Sequence, residues 1–95
     1  MKRITEMENK AKILLIDDNP ELLKLYTQYL MREGFYIDSC ENVKSAIEQL
    51  KKERYDVIIL DFIIKGLDGK EEGGLDVIDE ALKIDPLIQI IVTSQ

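Results

Sequence analysis

Asp17 and Asp18 close the apolar run Ile13-Leu14-Leu15-Ile16, and Asp61 closes a second run, Val57-Ile58-Ile59-Leu60. A third, largely apolar run, Leu87-Ile88-Gln89-Ile90-Ile91-Val92, ends in the hydroxyls of Thr93 and Ser94. If these runs are neighbouring strands, three carboxylates and two hydroxyls meet at one edge of a sheet. A lone aspartate there would be an ordinary turn residue or helix cap. Three together repel one another, and a fold retains them when a cation neutralises the charge or a reaction uses it. Mg²⁺ suits such a cluster, because it prefers a few carboxylate and carbonyl oxygens, keeps several waters and bridges to phosphoryl oxygens.

The elements that must position these groups follow from periodicity. The runs at Ile13 and Val57 are continuous and short, as expected of strands covered on both faces. Leu22, Leu23, Tyr26, Tyr29 and Leu30 recur at helical spacing between Glu21 and Glu33, after Asn19 as N-cap and Pro20 at the first helical position, and Gly34 ends that helix. The Tyr26 and Tyr29 pair reads as packing. Phe35 to Asp38 alternates like a strand near a sheet edge, and Asn42 opens a second helix with Val43, Ala46, Ile47 and Leu50 on one stripe. A long Gly-rich loop, Gly66 to Gly74, leaves the third strand, and a third helix turns Leu75, Ile78 and Leu82 inward until Asp85-Pro86 breaks it. The order βαβαβαβ predicts an α/β fold with a doubly wound parallel sheet, in which ligands collect at the carboxyl ends of the strands.

Composition narrows the function. With 95 residues there is room for one domain, and 45% apolar with 34% charged residues is ordinary for a globular chain. A formal charge of -6 disfavours direct contact with nucleic acid. The sequence contains no His, which removes His-based nucleophiles, phosphohistidine carriage and His-ligated metals. The single Cys40 permits no internal disulfide and reads as inert; no run is long enough to span a membrane, and residues 1–11 read as a solvated tail or a leader from the parent chain. A cytoplasmic location is expected. Asp68-Gly69 and the glycines Gly66, Gly69, Gly73 and Gly74 read as turns, not as a calcium loop or phosphate loop. Lys51-Lys52-Glu53-Arg54 reads as a solvated helix end.

Ile13-Leu14-Leu15-Ile16-Asp17-Asp18, Asp56-Val57-Ile58-Ile59-Leu60-Asp61 and Ile90-Ile91-Val92-Thr93-Ser94, in that order, resemble the receiver domains of two-component response regulators. The resemblance covers Lys12 to Ser94, and residues 12–95 would form the receiver-like domain. It implies the flavodoxin-like receiver fold with strand order 2-1-3-4. It implies that Asp61 accepts a phosphoryl group from the phosphohistidine of a sensor histidine kinase. Asp18 and Asp61 would ligate Mg²⁺ directly, Asp17 through a water, and the backbone carbonyl of Ile63 would be a further ligand. Thr93 would be the switch hydroxyl. Such a chain is not an enzyme in the ordinary sense but a substrate that assists its own phosphorylation.

Receiver domains continue past the switch strand through a helix, a strand and a helix, whereas this sequence stops at Gln95. The resemblance therefore implies a receiver without the last helix-strand-helix and without the fifth-strand lysine of the family. Lys65, in the loop after Asp61, reads as a solvated lysine, not a substitute cation, and Lys12 stands at the wrong end of its strand. Lys70-Glu71-Glu72-Gly73 makes that loop about four or five residues longer than the family pattern. The Leu87 to Val92 strand would be a bare edge, from which either self-association through that surface or a longer parent chain is expected. The alternative function is a degenerate receiver that serves as a dimerisation or interaction module. A hydrolytic phosphatase is disfavoured because Ile63 stands where such enzymes often carry a second carboxylate.

Overall fold

The computed structural model describes residues 11–61, 63–65 and 71–93. Its elements are β1 (Lys12–Ile16), α1 (Pro20–Arg32), β2 (Tyr36–Cys40), α2 (Val43–Lys52), β3 (Val57–Asp61), β4 (Ile63–Lys65), β5 (Glu71–Gly73), α3 (Gly74–Ile84) and β6 (Gln89–Thr93). β2, β1, β3 and β6 form one parallel sheet in that order, which is the 2-1-3-4 arrangement implied by the resemblance. β4 and β5 form a separate antiparallel pair, so the segment expected to be all loop carries a short ladder, Ile63 with Gly73 through Lys65 with Glu71. Gly73 and Gly74, expected in turns, close a strand and open a helix. The Gly66, Asp68 and Gly69 readings, Ser94 and most of the expected tail lie outside the described residues.

Capping explains where the first two helices begin. The Asn19 side chain accepts from the amides of Glu21 and Leu22 at 3.0 and 3.2 Å, with Pro20 leading α1. Asn42 caps α2 by accepting from the Ser45 amide at 2.8 Å. Gly34 leaves α1 with φ 99°, a left-handed conformation that glycine adopts without steric penalty.

The core lies on the sheet face beneath α2 and α3. Leu14 and Ile16 of β1 and Ile58 and Leu60 of β3 meet Val43, Ala46 and Leu50 of α2 and Val77 and Ala81 of α3. α2 presents the expected stripe. α3 does not, because Leu75 and Leu82 are exposed and the buried face is Gly74, Val77 and Ala81, with Ile78 partly covered. Small residues at that spacing let α3 lie close to α2, and the larger leucines fall outside the contact. On the other face α1 lies against β2 and β1, and Leu23 is its only buried residue. Tyr26 and Tyr29 are exposed and do not pack in the core as expected. Since α1 sits over β1 and β2, Val57 and Ile59 of β3 are only half-buried, and that strand alternates instead of being covered on both sides.

A polar brace ties Tyr55, just before β3, to the middle of β2 and to α2, away from the carboxyl ends where the aspartates stand. The Tyr55 hydroxyl donates to Asp38 at 2.6 Å and accepts from the Gln49 amide at 2.8 Å. Lys12 pairs with Glu53 and places its ammonium 5.2 Å from the Tyr55 ring centre, so it serves this end of the molecule. Burial, reinforced by the Asp38 hydrogen bond, pushes the Tyr55 phenol well above its ordinary range. Burial and then the Asp38 charge push the Cys40 thiol up to about 11, which keeps it protonated at neutral pH and fits its expected inertness. Among the described residues no helix is long and apolar enough to cross a membrane.

Candidate functional site

Strand register assembles the site. Ile16 is the partner of Leu60, and Asp61 is the partner of Thr93, so the next row across the sheet carries Asp17, Asp61 and Thr93 side by side. Neighbouring strands are about 4.8 Å apart, which puts these side chains within mutual reach. Asp17 is 4% and Asp61 8% exposed, whereas Asp18 faces solvent. Each of the three offers a carboxylate oxygen, and those oxygens all lie within 4.8 Å of one another.

Local geometry explains why Asp17 is held there. Its amide donates to the Cys40 carbonyl at 3.1 Å, which carries the β1–β2 ladder one residue past the strand. Its side chain accepts from the Asn19 amide at 3.0 Å. Asn19 therefore does two things: its side chain starts α1 and its backbone orients Asp17. Sequence reading found only the first. The Asp-x-Asn spacing is the signal for the second, since an Asp side chain commonly accepts from the amide two residues on. Thr93 donates its hydroxyl to the Leu60 carbonyl at 3.4 Å, a long hydrogen bond that holds the group beside Asp61. The side chains of Ile63 and Lys65 lie outside the described part of the structure; the backbone of both belongs to β4.

The donor set fits a small hard cation. Octahedral Mg²⁺ with oxygens at 2.0–2.1 Å has ligand oxygens about 3 to 4 Å apart, and the larger Ca²⁺ spreads them to about 5 Å. A spread of 4.8 Å across the aspartates is compatible with either, with small adjustments or one contact through water.

The sequence profile of the response regulator receiver domain matches residues 13–95. The chain belongs to that family. The receiver is 39% identical over 66 residues to the transcriptional regulatory protein ResD of Bacillus subtilis, covering 70% of this chain and 28% of ResD. It is 30% identical over 82 residues to the transcriptional regulatory protein GlrR of Escherichia coli, covering 86% of this chain and 17% of GlrR. The receiver thus spans under a third of the length of these curated relatives. Among solved structures, the response regulator TrrA of Thermotoga maritima in complex with Mg²⁺-BeF matches with a TM-score of 0.76 and 32% identity, over 88% of this chain and 69% of that one. The complex of histidine kinase ThkA with TrrA matches with a TM-score of 0.69 and 33% identity, over 86% of this chain and 66% of that one. Two-component response regulation is thereby the setting of this domain.

Proposed function

We propose that Asp61 is a phosphoacceptor, taking a phosphoryl group from the phosphohistidine of a histidine kinase with Mg²⁺ held by Asp17, Asp18, Asp61 and the Ile63 carbonyl. The gathering of three carboxylate oxygens within 4.8 Å at the carboxyl ends of β1 and β3 carries this reading. TrrA, similar in fold and 32% identical, binds Mg²⁺-BeF, and its complex with ThkA supports a histidine kinase as partner. In the reaction an Asp61 oxygen attacks phosphorus in line, the P–N bond to imidazole breaks, and an acyl phosphate forms. Asp61 is the nucleophile, and the chain's remaining work is positioning. The bound ion supplies neutralisation of the crowded negative charge. Asp17 and Asp18 keep that ion beside Asp61, and Asn19 keeps Asp17 oriented.

Thr93 is the reader of the product. Its hydrogen bond to Leu60 is long, and the phosphorylated Asp61 offers stronger, charged acceptors one strand away. Turning the hydroxyl to them would carry the end of β6 along, which is a two-state switch. The test is a heteronuclear NMR titration with Mg²⁺ and then beryllofluoride, a mimic of the phosphoryl group. The amides of Asp17, Asp61 and Thr93 are expected to shift with Mg²⁺, and Thr93 to shift further with the mimic. A spectrum indifferent to both would refute the reading.

A second reading has its own observation. Among the described residues β6 is the edge strand of the sheet, without charge or proline, and Ile91 and Val92 on it are 51% and 47% exposed. Such an edge pairs readily, and a second copy related by a two-fold axis would extend the sheet β6 to β6. Sedimentation equilibrium should then show dimers that Ile91→Lys dissociates; a monomer at high concentration would remove this proposal and leave phosphoacceptance untouched.

A further inference from the structure

The β4–β5 ladder stands where the chain leaves the acidic end of the sheet. Ile63 opens β4 two positions after Asp61, so its backbone lies within about 8 Å of the Asp61 Cα. Ile63 pairs with Gly73, the last residue of β5, and the next residue, Gly74, is the buried first residue of α3. α3 is fixed in turn by Val77 and Ala81, which are fully within the core. The Ile63 backbone is therefore gripped from two sides, by β3 through Asp61 and by α3 through Gly73. A peptide carbonyl recruited from a free connection must first be ordered, and fixing even one residue weakens a binding step about tenfold. A ladder already paired at Ile63 and Gly73 would perform that ordering beforehand.

We propose that the β4–β5 pair is a clasp that presents the Ile63 carbonyl to the cation, with Gly73 as a positioning residue, so that ion binding and ladder formation are one coupled equilibrium. The proposal rests on the reading of Asp17, Asp18 and Asp61 as a Mg²⁺ site. Coupling is reciprocal: the ion stabilises the ladder to the extent that the ladder tightens the ion. It also joins the occupancy of the acidic site to the first turn of α3 through three consecutive strand residues.

The experiment follows backbone amide resonances of the intact chain in a Mg²⁺ titration, with hydrogen exchange measured without and with saturating ion. The amides of residues 71–73 are expected to titrate with the same midpoint as that of Asp61 and to exchange at least about fivefold more slowly when the ion is bound. Deleting residues 71–73, with folding checked by far-UV circular dichroism, is expected to weaken Mg²⁺ binding about tenfold. If Asp61 titrates while residues 71–73 do not, the clasp is wrong and the Mg²⁺ site stands. If no amide titrates, both readings fall. Should the deletion prevent folding, the shared midpoint in the intact chain decides alone.

Discussion

Asp61→Asn is expected to abolish phosphoryl labelling by radioactive acetyl phosphate in Mg²⁺ and, in the absence of divalent ion, to make the domain more stable than the parent. Both effects come from the same carboxylate. On the proposed reading, an amide of the same shape would lack both the charged oxygen that is to attack phosphorus and the ligand that is to complete the ion site. Its neutrality also relieves crowding with Asp17 and Asp18, whose oxygens lie within 4.8 Å of it. Two unit charges at that distance repel by about 3 kcal/mol at an effective dielectric constant near 20. Solvent at the exposed Asp18 reduces the share that reaches stability to about 1 kcal/mol, or about 4–8 °C in the melting midpoint of a domain of this size. Adding Mg²⁺ should reverse the order. The parent gains about 2.7 kcal/mol at a hundredfold excess over its dissociation constant, and the variant gains little. Calorimetry with and without ion reads the crossover. Labelling of the variant would show that another residue is the acceptor, and parallel melting curves at every ion concentration would show that Asp61 does not bind the cation.

That crossing of effects was legible at the level of residues, because Asp17, Asp18, Asp61 and Thr93 all stand at the ends of apolar runs. Strand direction alone then brings them to one edge, and the register Ile16 to Leu60 and Asp61 to Thr93 converts the expectation into a row. Helix starts were legible for the same local reason: Asn19 and Asn42 cap through bonds to amides two or three residues away. What depended on three-dimensional coverage was not. Tyr26, Tyr29, Leu75 and Leu82 have helical spacing and apolar surface, yet each is exposed. Periodicity says that a helix has an apolar side; it does not say how wide a strip its neighbours cover. In α3 the strip is narrow because Gly74, Val77 and Ala81 allow a close approach. The β4–β5 ladder escaped for another reason. Glycine-rich sequence is read as turn, and a three-residue antiparallel pair leaves too short a pattern to outweigh it. The brace of Tyr55, Asp38 and Gln49 joins residues 6 and 17 positions apart through a fold contact, and no local spacing signals it.

The uneven cover of the sheet sets up a large stability contrast between two of its isoleucines. Ile58→Ala should destabilise the domain by about 2–5 kcal/mol, whereas Ile91→Ala should change stability by less than about 1 kcal/mol. Both residues are isoleucines on adjacent parallel strands, one position out of register, and both substitutions remove the same atoms. Ile58 sits between Leu14 and Ile90 in the sheet and is fully buried in the core shared with α2 and α3. Truncating it removes the transfer free energy of its methylenes and leaves a cavity that two helices and two strands cannot collapse to fill. Ile91 faces the side of the sheet that α1 leaves open, and it is already half in water. Its truncation forfeits little burial, although losing a β-branched residue in a strand keeps the change slightly unfavourable. A small domain holds about 5–15 kcal/mol in reserve, so Ile58→Ala should lower the urea midpoint by a large fraction of its value while Ile91→Ala leaves it almost unmoved. Equal shifts for the two variants would mean that Ile91 is covered in solution, and their dependence on protein concentration would then distinguish a cover supplied by a second copy from one supplied within the chain, because only the former weakens on dilution.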